Sequence, residues 1–187
     1  MLNLRSSKPA TGLCYLVFGV SGVGKTRACE EFGNRHPDYL ITRASRLLSN
    51  VTHLSSEALQ TTNADGILRN QTLLVKEFRK FRTGRETMPV ILEAHATIYN
   101  GKELIQIPIE IIEFLEPDRL VLIEARSVEV LERRKNDQRQ RPIREIHEIQ
   151  EELVKEREAV EFYSRILNLP LLILESDHNF QLDAAII

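Results

Sequence analysis

An eight-residue run near the N-terminus has the residue types and spacing of a phosphate-binding loop. Residues 19–26 read Gly-Val-Ser-Gly-Val-Gly-Lys-Thr, which fits the pattern G-x-x-x-x-G-K-[ST] in full. An apolar run over 13–18 precedes it, and a segment with helical character follows. Glycines let successive backbone N–H groups turn inward around phosphate oxygens, and the start of a helix adds its positive dipole. The run is therefore predicted to bind a nucleoside triphosphate.

Each part of this phosphate loop (residues 19–26) has its own predicted task. The backbone N–H donors around the phosphates are expected to come from Gly19, Ser21, Gly22, Val23 and Gly24. Lys25 can reach the β- and γ-phosphates with its ammonium group, and the Thr26 hydroxyl can ligate Mg²⁺. The loop thus predicts both the anion site and one metal ligand.

Length and composition limit the remaining classes of protein. A chain of 187 residues with 42 % hydrophobic and 28 % charged residues is expected to form one soluble globular domain. Its net charge of −2 does not argue for nucleic acid or membranes as partners, and no apolar stretch approaches the ~20 residues that span a bilayer. Cys14 and Cys29 lack metal-ligand spacing and are expected to be buried hydrophobes. The expected compartment is the cytoplasm.

Short apolar runs alternate with longer amphipathic segments, which is typical of a parallel sheet covered by helices. The predicted strands are 13–18, 39–42, 89–93, 119–123 and 171–174. The predicted helices are 24–35, 63–83, 108–115, 127–136 and 143–167. The Ser/Thr-rich segment 43–62 is expected to be a mobile excursion rather than part of the core.

The third predicted strand ends in the sequence E-A-H-A-T-I, residues 93–98. Ligands of open α/β sheets lie beyond the carboxyl ends of the strands, so Glu93 and His95 are expected to face the phosphate loop. Glu93 could hold Mg²⁺ through water or orient an acceptor, or it could be a solvated strand-end carboxylate. His95 could equally be a structural residue held by hydrogen bonds. Glu124, which ends the fourth strand, is the weaker acidic candidate.

A basic cluster follows the fourth strand. Its members are Arg133, Arg134, Lys135, Arg139, Arg141 and Arg144. Such runs are most often solvated helix faces, but this one interrupts the helical pattern over 136–142, as a flap would. Guanidinium groups stabilise the charge of a transferring phosphoryl group, so the cluster is interpreted as a lid. Double-stranded nucleic acid is the weaker interpretation, because the patch is isolated, lacks interleaved aromatic residues and lies in an acidic chain.

Together these segments resemble the archaeal-type adenylate kinases. That family reads D-T-H-A-T-I, V-E-A-D-P-x-x-I-x-x-R-R and D-x-x-R-x-R where this chain reads E-A-H-A-T-I, I-E-A-R-S-V-E-V-L-E-R-R and D-Q-R-Q-R. The likeness covers roughly residues 13–175. It implies an α/β P-loop NTPase fold with a five-stranded parallel sheet in the order 2-3-1-4-5 and helices on both faces. It also implies one kinase domain over 1–187, with a monophosphate flap at 43–83 and an arginine lid at 133–145.

The resemblance implies a reaction and its residues as well. ATP and AMP would give two ADP with Mg²⁺, and the phosphate loop would bind ATP. The catalytic residues would be Lys25, Arg133, Arg134, Arg139 and Arg141. The acceptor side would include Ser45, Arg69, Gln71, Glu93 and His95. The metal would be held by Thr26 and Glu93.

Departures from the family concentrate on the acceptor side. Glu93 stands where the family has Asp, Ser45 where it has the acid of a Gly-Asp pair, and Pro142 where it has the Asp after R-x-R. An ATPase or nucleotide-gated subunit that controls a protein partner is therefore the alternative. A third interpretation is a kinase for a small-metabolite hydroxyl, with Glu93 as the base. The relatives favour a homo-oligomer, although the composition does not require one.

Overall fold

A five-stranded parallel sheet forms the centre of the structure, a computed structural model that describes residues 12–55, 58–59, 63–137, 144–177 and 180–187. The strands in chain order are β1 (Cys14–Phe18), β2 (Leu40–Arg43), β3 (Val90–Glu93), β4 (Thr97–Tyr99), β5 (Leu104–Gln106), β6 (Arg119–Glu124) and β7 (Leu171–Glu175). The large sheet has the order β2-β3-β1-β6-β7, and β4 and β5 form a separate antiparallel hairpin. The predicted strand order is therefore confirmed.

Helices cover both faces of this sheet. They are α1 (Lys25–Arg35), α2 (Ala44–Thr52), α3 (Ala64–Arg82), α4 (Ile109–Phe114), α5 (Ser127–Lys135), α6 (Ile146–Leu167) and α7 (Asp183–Ile186). All five residues of β1 are buried, because alternate side chains enter opposite cores. Leu16 and Phe18 pack in the core with residues of α3 and α4, whereas Tyr15 and Val17 pack with residues of α1 and α7.

The structure differs from the sequence-based prediction in four elements, one of which is the short helix α7, which was not predicted. The expectation that 43–62 lies outside the core is wrong for α2, because Leu47 and Leu48 are buried in the main hydrophobic cluster. The hairpin of β4 and β5 was not predicted. The last long helix begins at Ile146, three residues later than predicted, where Glu145 and Glu148 form a reciprocal capping box.

No helix in the described part of the chain combines the length and the apolar composition that crossing a bilayer requires.

Candidate functional site

The phosphate loop connects the end of β1 to the start of α1, and its backbone requires glycine at Gly19 and at Gly24. A Cβ on Gly19 would lie 2.4 Å from the carbonyl oxygen of Ile123 on the neighbouring strand β6. Gly24 has φ of +102°, a left-handed conformation, and immediately precedes the first residue of α1. Because glycine occupies both positions, the loop can turn tightly over the carboxyl end of the sheet. The N-terminus of α1 then lies beside the space that the loop encloses.

Lys25 directs its ammonium group into this loop. The residue is buried, and its Nζ donates to the carbonyl oxygens of Gly19 at 2.5 Å and Val20 at 3.1 Å. Its four-carbon side chain lets the charge reach phosphate oxygens cradled by the same loop. The structure thus places a cation inside the predicted anion site.

Thr26 and Glu93 meet at the point where α1 begins and β3 ends. The Thr26 hydroxyl lies 2.8 Å from Oε1 and 3.0 Å from Oε2 of Glu93. Both are oxygen donors of the kind that Mg²⁺ prefers. Within the described ranges no group of three or more His, Cys, Asp or Glu could hold a metal. The oxygen donors of Thr26 and Glu93 have the chemistry that fits Mg²⁺, an ion that proteins commonly bind with one or two oxygens beside phosphate and water.

Two arginines of α5 hold the outer side of the phosphate loop. Arg133 donates to the Val23 carbonyl and to the Ser176 hydroxyl, both at 3.1 Å. Arg134 donates through Nε to the Ser21 carbonyl at 2.8 Å, and its Nη2 lies 2.5 Å from Glu152. Two of the four arginines predicted to be catalytic are thus in contact with the loop. The other two, Arg139 and Arg141, lie outside the described residues.

A single cavity of about 490 Å³ extends from the phosphate loop to the start of α2 and to the β4–β5 hairpin. Among the residues predicted for the acceptor side, Ser45, Glu93 and His95 line it. Arg69 lies exposed on α3 and Gln71 lies buried on the same helix, and neither lines the cavity. Glu124 pairs with Arg157 and does not line it either. The fold thus brings the donor loop and part of the predicted acceptor side into one space.

Arg43 and Glu156 are two of the charged residues of this region that were not predicted from the sequence. Arg43 ends β2 and lines the cavity; its Nη2 donates to Glu30 at 2.8 Å, and its Nε lies 3.9 Å from Glu93 Oε2. The strand-end rule that identified Glu93 would have found it. Glu156 on α6 is buried and accepts hydrogen bonds from Gly19 and Thr97. Its signal was a charged residue within the apolar stripe of a helix.

Comparison with known proteins shows what this chain is similar to. The family model described as AAA domain matches residues 18–150. Adenylate kinase of Methanopyrus kandleri is 28 % identical over 185 residues, which cover 94 % of each chain. Adenylate kinase of Methanocaldococcus jannaschii is 26 % identical and covers 91 % of this chain and 93 % of its own.

A solved structure, shikimate kinase from Bacteroides thetaiotaomicron, matches with a TM-score of 0.59 at 14 % identity over 92 % of this chain and 93 % of its own. At that identity the likeness shows the fold alone, which is the α/β P-loop NTPase fold. The chain therefore belongs to the AAA domain family, and it is a phosphotransferase similar over most of its length to the archaeal adenylate kinases.

Proposed function

We propose that this protein transfers the γ-phosphoryl group of Mg²⁺-ATP to a nucleoside monophosphate, with AMP as the first acceptor to test. One observation carries this proposal. The phosphate loop and a second, partly cationic region around Arg43 line the same cavity of about 490 Å³. Donor and acceptor phosphates can therefore meet in one space from which closure would exclude water.

The donor half of the reaction is assigned to the phosphate loop. Backbone N–H groups and the N-terminus of α1 would bind the triphosphate, and Lys25 would neutralise charge on its β- and γ-phosphates. Thr26 and Glu93 would hold Mg²⁺, which supplies further neutralisation of phosphate charge when bound. Arg133 and Arg134 already contact the loop, and guanidinium groups there would stabilise the charge on the transferring group.

The group that accepts the phosphoryl group is proposed to be a phosphate rather than a hydroxyl. A hydroxyl acceptor needs a general base, and Glu93 is the carboxylate that sequence reasoning offers for that task. Both Glu93 oxygens are within hydrogen-bond distance of Thr26, which supports a role for this carboxylate on the metal side. A nucleoside monophosphate is already ionised and needs no base. The Arg43 guanidinium at the cavity wall favours such an anion.

The test is to measure ADP formation with ATP and Mg²⁺ alone, with each ribo- and deoxyribonucleoside monophosphate, and with shikimate. We expect one monophosphate to stimulate turnover, with one diphosphate product formed per ADP. ATP consumption that is independent of any monophosphate would contradict the proposal and support the ATPase alternative. Stimulation by shikimate alone would support the hydroxyl-acceptor interpretation.

A further inference from the structure

One face of α6 contacts three separate parts of the site. Glu152, Glu156 and Tyr163 are spaced by four and seven residues, which places their side chains on the same side of a helix. Glu152 contacts Arg134 of α5, and the Tyr163 hydroxyl donates to the carbonyl oxygen of Ile107 at 2.5 Å, just after the β4–β5 hairpin. This face therefore connects Arg134, at the start of the predicted lid, to the hairpin that lines the cavity.

Glu156 is at the centre of this face and is 1 % exposed. Its Oε1 accepts hydrogen bonds from the backbone N–H groups of Gly19 at 3.1 Å and Ala96 at 2.9 Å. Its Oε2 accepts from the backbone N–H of Thr97 at 2.8 Å and from the Thr97 hydroxyl at 2.6 Å. One carboxylate thus binds the first residue of the phosphate loop and the segment that leads from β3 to β4.

The electrostatic surroundings of Glu156 include Lys25. Burial raises the pKa of the Glu156 carboxyl, whereas its hydrogen bonds from Thr97 and Ala96 and the positive charge of Lys25 oppose that rise. Lys25 also donates to the carbonyl oxygen of Gly19, the residue whose N–H is bound by Glu156. Gly19 is therefore held from both sides, by a carboxylate at its nitrogen and an ammonium group at its oxygen.

We infer that Glu156 is a positioning residue of the phosphoryl-transfer site. Its carboxylate holds the phosphate loop and the Ala96–Thr97 segment at a fixed separation. The inference rests on the proposed function. Its basis is that the residues bound by Glu156 belong to both sides of the cavity: Gly19 begins the donor loop, and Thr97 lies in the segment 94–98 that follows β3 and lines the cavity. A misplacement of about 1 Å at the reacting groups can cost about 100-fold in rate, so a residue that holds the two sides in place affects kcat.

The test is the substitution Glu156→Gln, with Glu161→Gln on an exposed position of the same helix as the matched control. The amide of Gln has nearly the same shape, but its NH₂ group would face at least one backbone N–H that now donates to an oxygen. We expect kcat to fall about tenfold or more at a temperature where both variants are fully folded, with wild-type kcat in the control. A fall smaller than fivefold would overturn the inference and leave Glu156 a residue of structural importance only.

A second measurement separates this inference from the proposed function. Amide hydrogen exchange at Gly19, Ala96 and Thr97 and the affinity for Mg²⁺-ATP can be measured without turnover. If wild type transfers phosphate to none of the acceptors, the proposed function fails, and these two measurements then test Glu156. Faster exchange at the three amides and weaker ATP binding in Glu156→Gln would support a positioning role at the nucleotide site. Unchanged affinity would overturn it.

Should Glu156→Gln fail to fold, Thr97→Val and Thr97→Ser decide the question. Valine keeps the shape and the backbone N–H but removes the hydroxyl that donates to Glu156 Oε2, whereas serine keeps that hydroxyl. We expect Thr97→Val to lower kcat about threefold or more and Thr97→Ser to restore it to within twofold of wild type. Wild-type kcat in Thr97→Val, or a loss in both variants, would overturn the inference.

Discussion

The Thr26 hydroxyl and the Glu93 carboxylate are in direct contact, with the hydroxyl 2.8 and 3.0 Å from the two carboxylate oxygens. Thr26 belongs to the first turn of α1, and Glu93 is the last residue of β3, which pairs with β1. Because helix and strand are both fixed by the sheet, the two metal-ligand candidates lie together as a result of the fold. Their separation does not depend on a mobile loop.

Removal of the Thr26 hydroxyl should therefore impair metal use specifically. We expect Thr26→Val to lower kcat/KM about 100-fold, because valine has the same shape but can neither ligate Mg²⁺ nor orient Glu93. Thr26→Ser keeps the hydroxyl and should stay within about fivefold of wild type. Steady-state rates at several Mg²⁺ concentrations check both values. Equal activity in the valine and serine variants would contradict the metal assignment.

Substitution of Glu93 tests the other half of this contact. Glu93→Gln should raise the Mg²⁺ concentration for half-maximal rate about tenfold, because the amide keeps the size but loses the charge. Glu93→Asp should keep a low Mg²⁺ requirement, since Asp is the residue that the resembling family has at this position. The measurement is a Mg²⁺ titration of the rate at saturating ATP. An unchanged half-maximal Mg²⁺ concentration in Glu93→Gln would assign Glu93 to another task.

Lys25→Ala should abolish phosphoryl transfer without unfolding the protein. Its ammonium group is the cation inside the phosphate loop, so we expect the rate to fall about 1000-fold, as for removal of a principal transition-state donor. Circular dichroism and thermal unfolding check the fold. The exposed Lys76→Ala on α3 is the control for loss of a lysine. Retention of full activity in Lys25→Ala would rule out the kinase assignment.

The sheet could be predicted from the sequence because its strands are buried on both faces and therefore read as continuous apolar runs. The run 90–92 in β3 is one such case, with all three residues fully buried. The β4–β5 hairpin could not be predicted in this way, since each strand has three residues and neither alternates cleanly. Helix α2 was hidden by its Ser and Thr content, although adjacent Leu47 and Leu48 reach the core.

The candidate site could be predicted only where a contiguous sequence motif or the position of a strand end identifies its residues. The phosphate loop follows from a contiguous pattern, and Glu93 follows from the position of strand ends. Glu156 depends on packing between α6 and two distant segments, 137 and 60 residues away. Apolar positions Leu153 and Val160 are seven residues apart, and the core-facing position between them is the one that Glu156 fills. A charge at such a position indicates a buried polar contact but does not identify its partner.

Both cysteines should make stability depend on alkaline pH. Burial raises the pKa of Cys14 and of Cys29 from 9.0 to about 12. A raised pKa means that the fold favours the neutral thiol, so this contribution is complete below pH 9 and is lost as pH rises toward 12. Each thiol should add about 1.4 kcal/mol per pH unit to the decline of the unfolding free energy in that window.

Urea unfolding of wild type and Cys29→Ala at several pH values from 8 to 11 checks this dependence. Alanine removes the titrating group, so the unfolding free energy of the variant should fall less steeply above pH 9. The smaller side chain lowers that free energy by the same amount at every pH and does not change the slope. Other groups that titrate in this range are common to both proteins and cancel in the difference. Parallel pH curves would show that the Cys29 thiol does not titrate differently in the folded and unfolded chains.

Removing Glu152 from its contact with Arg134 should cost more unfolding free energy than removing Arg134. The Arg134 side chain is 11 % exposed and that of Glu152 is 9 % exposed, and Glu152 Oε1 also lies 3.1 Å from Nη1 of Arg144. Glu152→Gln therefore removes a carboxylate shared by two largely buried guanidinium groups, of which Arg144 keeps a contact of 3.7 Å with Glu148, and should cost about 3 kcal/mol of unfolding free energy. Arg134→Gln leaves Glu152 paired with Arg144 and should cost about half as much.

A double-mutant cycle in urea tests this relationship, with the exposed neighbour Glu151→Gln as the matched control. Because Arg134 and Glu152 are in contact, the double variant should be more stable than the sum of the single losses predicts, by about 1–2 kcal/mol. Activity adds a second reading. Arg134→Gln should also lower kcat if its guanidinium stabilises the transferring group, whereas Glu152→Gln should act mainly through stability. Equal losses of kcat per folded molecule in both variants would indicate that Arg134 serves the reaction only by holding the loop through Ser21.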